Sequence, residues 1–221
     1  MALLDPIHWE TITPQMHNVL KFIGQQPFAQ QFYLAGGTAL ALRLGHRRSI
    51  DLDFFSATDE ILVQTRQKIT LSLSSFSPQI VEDVDGNLLL LIAGLSVGFF
   101  GYGYALLDPT DEVENVAVAS VLDIGLMKLD ALISRGSRKD FYDLHQIMQQ
   151  ISLPDLLALG KKKYPYARDF ELMAVESLVM FENADRDIQP ELLINLSWEQ
   201  VRADFIIEAQ KLGQSWFDNQ A

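Results

Sequence analysis

LAGGTALALRLGHRRSIDLDFF, Leu34 to Phe55, is the stretch on which the fold turns. Gln31 to Ala35 is short and rich in β-formers, Gly36-Gly37 interrupts it, and Thr38 to Leu44 returns to helical composition. The order is therefore strand, glycine turn, helix. Beyond Gly45, Ile50, Leu52 and Phe54 alternate with Asp51 and Asp53, the period of two expected of a half-buried strand. Both carboxylates then project from one face. Glycines without side chains let backbone N–H groups approach an anion, and the helix that follows directs its positive end to the same place. Two carboxylates so held suit Mg²⁺, which binds through one or two carboxylates and the substrate's phosphates. A diglycine pair alone reads as an ordinary turn; its position ahead of Asp51-x-Asp53 is what gives it a function.

Working outward, Met16, Val19, Leu20 and Ile23 fall at helical spacing behind Thr13 as N-cap and Pro14 as first helical residue. Glu60 to Leu73 suits another helix. Gln79 to Val84 and Asn87 to Ala93 flank Asp85-Gly86, a hairpin signal, and Leu95 to Tyr104 adds a third strand. Asp83-Val84-Asp85 repeats the acid spacing, but beside Gly86 it reads as turn chemistry. From Ser120 the pattern becomes helical: Val121 to Ile133 stops at Arg135-Gly136, Ser137 opens a helix through Gln149, and Asp169 to Glu182 and Trp198 to Gln214 follow. The layout is an α/β core over 1–115 and a helical C-terminal region over 116–221.

The 221 residues carry 17 Lys plus Arg against 29 Asp plus Glu, a net charge of −12 that repels bulk nucleic acid and anionic membrane. Apolar residues make up 48%, enough for a core, and the absence of Cys removes disulfides, thiolate nucleophiles and Cys-ligated zinc. The four His residues have no metal-ligand spacing. The longest apolar run, Leu88 to Ala93, falls far short of the ~20 residues of a membrane helix, and Met1 to Glu10 has no basic stretch leading into an apolar one. The expectation is a cytoplasmic protein without membrane contact.

Gly36-Gly37, the spacer and Asp51-x-Asp53 resemble the signature of the DNA polymerase β-like nucleotidyltransferase superfamily. Further pieces narrow it: Arg47-Arg48-Ser49, then Asp123-Ile-Gly-Leu-Met-Lys128-Leu-Asp-Ala131, then Arg135-Gly-Ser-Arg-Lys139-Asp140-Phe-Tyr-Asp143-Leu144. Together these resemble the AbiEii/AbiGii toxin family of nucleotidyltransferases, over roughly Phe32 to Leu144. The resemblance implies a polymerase β-like α/β (α+β) domain with a mixed sheet, and Mg²⁺-dependent transfer of a nucleotidyl group from an NTP to an acceptor hydroxyl on RNA (such as tRNA) or protein. It also implies a toxin with a cognate antitoxin protein. Asp51 and Asp53 would hold the metal; Gly36, Gly37 and Thr38 would cradle the triphosphate, with Arg47, Arg48 and Ser49 beside it. Lys128 would pair with phosphate, and Asp140 would orient or deprotonate the acceptor. One departure stands out: where a later strand of many relatives carries a third carboxylate, Val97-Gly98-Phe99-Phe100 has glycine. Either Asp140, Asp143 or Asp123 substitutes, or metal binding is weaker. Two other functions fit the pattern, a decayed nucleotide-binding scaffold and a transferase acting on a small-molecule hydroxyl.

Plainer roles compete at several positions. Ser120-x-x-Asp123 and Ser137-x-x-Asp140 both have capping-box spacing; capping suits Asp123, while Asp140 has Asp143 one helical turn away. Lys128 interrupts an apolar helix face, either snorkelling or reaching an anion. Most basic residues cluster in Arg43–Arg48, Lys128–Lys139 and Lys161–Arg168, a positive surface for an NTP or RNA end, with a solvated face as the alternative for Lys161 to Lys163. Phe99, Phe100, Tyr102 and Tyr104 suit a core better than base stacking. His46 beside Arg47 has phosphate within reach; His8, His17 and His145 are incidental.

Overall fold

The computed structural model describes residues 2–218, with side chains through residue 214. The chain divides into two compact units, Met1–Ser120 and Val121–Ala221.

The first unit is built on a mixed sheet of eight strands among the described residues: β1 (Ala2–Leu3), β2 (Tyr33–Leu34), β3 (Asp51–Ser56), β4 (Gln79–Val84), β5 (Asn87–Ile92), β6 (Leu95–Gly101), β7 (Asp111–Val113) and β8 (Val116–Val118). Their order is β1-β7-β8-β2-β3-β6-β5-β4. The expected alternation in β3 is present: Leu52, Phe54 and Ser56 are buried, whereas Asp51, Asp53 and Phe55 are partly exposed. The same alternation runs through β5, where Leu88, Leu90 and Ile92 point into the core. Phe54 stacks on Phe99 of β6 at 5.0 Å between ring centroids, and Phe28 meets Phe99 edge-on at 5.8 Å. Each such buried ring or leucine contributes roughly 1.5–3 kcal/mol. Phe99 is thus core, as its sequence context suggested, while Phe100 lies on the opposite face.

Helix α1 (Pro14–Gly24) starts where expected, with Thr13 accepting from the Met16 N–H at 3.2 Å. It packs so tightly that a side chain at Gly24 would run into the Glu114 carbonyl. Thr13→Ala is expected to lower stability by about 1 kcal/mol, the usual cost of losing an N-cap; an unchanged denaturation midpoint would show that the cap carries nothing. Helix α2 (Gly36–Leu44) begins two residues earlier than its composition indicated, and the strand before it is shorter than Gln31 to Ala35 because Pro27–Gln31 takes a 3-10 turn. Helix α3 (Val63–Ser72) starts late, since Asp59 accepts from Ile61 N–H at 2.6 Å and from Thr65 Oγ1 at 3.1 Å, holding 59–62 in a turn. Asp83 and Asp85 do more than make a turn: both clasp Arg66 of α3. The stretch from Asp108 to Ser120, in which the residue pattern predicts no element, contributes β7 and β8 around Glu114-Asn115, both at positive φ, a two-residue hairpin turn lacking the usual glycine.

The second unit is helical: α4 (Val121–Ser134), α5 (Arg138–Ile147), α6 (Leu153–Lys163), α7 (Phe170–Ser177), α8 (Glu182–Arg186) and α9 (Trp198–Asp218). Helix α4 is buried from Asp123 to Leu129, and its Gly125 faces Leu156 and Ile147 closely enough that a Cβ would touch both. Phe141 of α5 gathers the rings of Phe181, Trp198 and Phe205 at 5.2–5.6 Å. The single helix expected over Asp169 to Glu182 is two, α7 and α8, separated by a turn after Ser177. No helix in the described residues is long and apolar enough to cross a membrane.

Candidate active site

In the first unit the glycine turn and the acid pair meet. Gly36 adopts φ +65, a conformation that L side chains rarely take, and a Cβ there would lie 3.2 Å from Asp53 Oδ2. The Ala35 N–H donates to the Asp53 carbonyl at 3.1 Å, pinning the turn to β3. At Gly37 the Arg47 guanidinium occupies the space a side chain would fill. Arg47 is 4% exposed and donates to the Arg48 carbonyl at 3.0 Å, while Arg48 itself is exposed. The first-turn N–H groups of α2, which have no intrahelical acceptors, thus lie beside the Asp53 carboxylate and the Arg47 guanidinium.

Thr38 and Ser49 have a different task from the one anticipated. Thr38 is 2% exposed; its Oγ1 donates to the Asp51 carbonyl and lies 2.8 Å from Ser49 Oγ, which is itself buried. These hydroxyls lock the start of α2 to the start of β3, so what Thr38 can offer a ligand is its backbone N–H. His46 is buried as well.

Strands β3 and β6 run parallel, with Asp51 in register with Ser96 and Asp53 with Gly98. No acid therefore projects from β6 beside the pair. Asp53 is framed by two glycines, since a Cβ on Gly98 would lie 3.3 Å from Oδ1. Farther along the same face Phe55 meets Phe100 at 5.2 Å and Tyr102 at 5.6 Å, and Tyr102 meets Tyr104 at 5.2 Å. These aromatics pack against one another.

In the second unit Lys128 of α4 meets Asp140 Oδ1 at 2.8 Å and Asp143 Oδ2 at 2.6 Å, and both acids are fully buried. Asp140 also takes Arg135 Nε at 2.8 Å and Ser137 Oγ at 2.6 Å. Burial pushes the Asp140 carboxyl up, but the Lys128 charge and the Arg135 hydrogen bond and charge outweigh it and hold it well below the usual carboxylate range. A carboxylate so stabilised is a poor proton acceptor. Lys128, 3% exposed between two carboxylates, is similarly ill placed to serve as a point charge for phosphate. Lys128 and Asp140 thus form a clamp between α4 and the first turn of α5. Asp143, weighed from the sequence as a stand-in for the third carboxylate, is an equal member; its spacing of three from Asp140 was the available signal.

A second buried pair joins Lys163 Nζ to Asp123 Oδ1 at 2.8 Å, both fully buried. Asp123, expected as a cap, is the partner of Lys163, and Lys163 leaves the basic surface expected of Lys161 to Lys163, whose other two members are exposed. His145, treated as incidental, meets Asp204 at 2.8 Å.

Comparison with known proteins agrees with this architecture. A sequence model described as nucleotidyl transferase AbiEii toxin, type IV toxin–antitoxin system, matches residues 19–90. An uncharacterized protein of Aquifex aeolicus (strain VF5), aq_aa25, is 37% identical over 178 residues, covering 79% of this chain and 84% of that protein. Among solved structures, MenT4, a nucleotidyltransferase toxin of Mycobacterium tuberculosis H37Rv, superimposes with a TM-score of 0.55 at 17% identity, over 88% of this chain and 82% of that one. A Helicobacter pylori protein assigned as a nucleotidyltransferase gives 0.53 at 18% identity, over 92% and 96%. The structural likenesses establish the polymerase β-like fold.

Proposed function

We propose that this chain, which belongs to the AbiEii family of nucleotidyl transferases, carries out nucleotidyl transfer with Mg²⁺ at Asp51 and Asp53, on a hydroxyl of an RNA end or a protein. The acceptor oxygen bonds to the α-phosphorus of the NTP, the bond from that phosphorus to the oxygen bridging to the β-phosphate breaks, pyrophosphate leaves, and the hydroxyl proton passes to water. The observation that carries this reading is the Asp53 carboxylate framed by Gly36 and Gly98, since a side chain at either glycine would crowd its oxygens. The donor set fits a hard cation: two carboxylates on one strand face, the kind of ligand to which substrate phosphate oxygens are added. A divalent ion held there supplies neutralisation of the charge that develops on the phosphate oxygens.

The remaining work falls to the chain's own groups. The N–H groups of Gly36, Gly37 and Thr38 donate to phosphate oxygens, Arg48 adds an exposed positive charge, and Arg47, beside Gly37 and bonded to the Arg48 carbonyl, adds a buried one. Lys128, Asp140, Asp143 and Arg135 position α4 against α5. The family's description as a toxin–antitoxin component supports a toxin whose action a cognate antitoxin protein restrains.

Incubation with each α-³²P-labelled NTP, Mg²⁺ and total RNA or cell lysate is expected to label a macromolecule. Label confined to small molecules would move the acceptor to that class. NTP binding with no labelled product from any acceptor would overturn the transferase reading of this site.

A further inference from the structure

The β6 positions beside the acid pair have a consequence for metal stoichiometry. Asp53 lies in register with Gly98, and a Cβ on Gly98 would press into the Phe100 ring as well as lie 3.3 Å from Asp53 Oδ1. Phe100 thus folds back over Gly98, resting against Phe55 at 5.2 Å, and covers the place from which a third carboxylate would project. The other neighbour in register, Ser96 beside Asp51, is neutral. The acids that might have substituted are committed elsewhere: Asp123 to Lys163, Asp140 to Lys128 and Arg135, and Asp143 to Lys128, all three fully buried. Among the described residues no group of three or more His, Cys, Asp or Glu side chains is spaced to hold a metal.

We propose that Gly98 and Phe100 restrict the Asp51/Asp53 site to a single divalent ion, with an aromatic ring where the third acid of a two-ion site would stand. Two-ion sites hold their cations roughly 3.5–4 Å apart. Repulsion between two double charges at that distance must be offset by anionic oxygens that reach both, and Asp51 and Asp53 alone give too few while also serving the first ion. One hard cation with two carboxylates and phosphate oxygens has what it needs. This inference rests on the proposed metal role of Asp51 and Asp53.

The test counts metal directly. The chain is mixed with equimolar α,β-methylene NTP, each of the four in turn, and titrated with Mn²⁺ under electron paramagnetic resonance. One tightly bound Mn²⁺ per chain with an uncoupled spectrum is expected, later equivalents remaining as the free aquo ion. Two bound ions with an exchange-coupled spectrum would overturn the single-ion proposal and leave the metal role of the acid pair standing. No protein-bound Mn²⁺, or a count unchanged in Asp51→Asn, would instead overturn the metal reading beneath it. Gly98→Asp alone collides with Phe100, so the informative variant is Gly98→Asp with Phe100→Ala, its fold verified by circular dichroism. That pair is expected to bind two coupled ions; a folded double variant still binding one would remove Gly98 and Phe100 as the cause and overturn the proposal.

Discussion

Lys128→Met is expected to destabilise the protein by about 3–5 kcal/mol, the usual result of removing one partner from a buried ion pair. The lysine is 3% exposed and meets Asp140 and Asp143, both at zero exposure. Without it both acids lose the Lys128 charge, and Asp140 retains Arg135. The pH dependence separates the two acids' fates. In the native chain Asp140 titrates below its ordinary value, so its contribution is fully present above the unfolded carboxylate value of about 4 and is lost only as pH falls through the still lower folded value. In Lys128→Met the Lys128 charge no longer offsets the burial of Asp143, so the destabilisation from that carboxylate is expected to grow as pH rises. Urea midpoints at pH 5 and pH 7 are the measurement. The variant should be nearer the native protein at pH 5, and adding Asp143→Leu should recover much of the loss at pH 7. A variant of native stability with weakened NTP binding would mean instead that Lys128 serves phosphate.

That distinction marks the line between what the residues disclose and what they conceal. The glycine turn and the acid pair were legible because both are local: a strand's period of two puts Asp51 and Asp53 on one face wherever the strand is placed, and positive φ selects glycine regardless of tertiary context. The Asp83-Asp85 turn was legible for the same reason, but its clasp on Arg66, 17 and 19 residues away in sequence, was not. Lys128 and Asp140 show the difficulty most clearly. Motif position marks them as important and is silent on whether their charges face a ligand or each other. That depends on α4 and α5 packing side by side, which brings together groups 12 residues apart. Lys163 and Asp123, 40 apart, gave no local signal at all. Strands β7 and β8 were missed on different grounds: three residues each are too few to establish a period, and Glu114-Asn115 reaches positive φ without the glycine that usually announces such a turn.

Asp53→Asn is expected to lower nucleotidyl transfer by about 10³-fold or more, corresponding to roughly 4 kcal/mol of lost transition-state stabilisation. The amide keeps the shape of the side chain and removes the charge that grips the cation. Because Asp53 is partly exposed, the midpoint of unfolding should change by less than about 1 kcal/mol. The NTP should still bind, through the N–H groups of the α2 turn and the arginines, so the loss falls on kcat more than on KM. Asp53→Glu asks whether charge alone is enough. The carboxylate sits with one oxygen against the space of a Gly36 side chain and the other against that of Gly98, at 3.2 and 3.3 Å, and Gly98 is already roofed by Phe100. One additional methylene carries the oxygens out of this frame, so Asp53→Glu is expected to be nearly as inactive as Asp53→Asn while retaining the full negative charge. Activity within a few-fold of native in Asp53→Glu would show that the glycine frame is incidental and that the site needs only an acid in the neighbourhood.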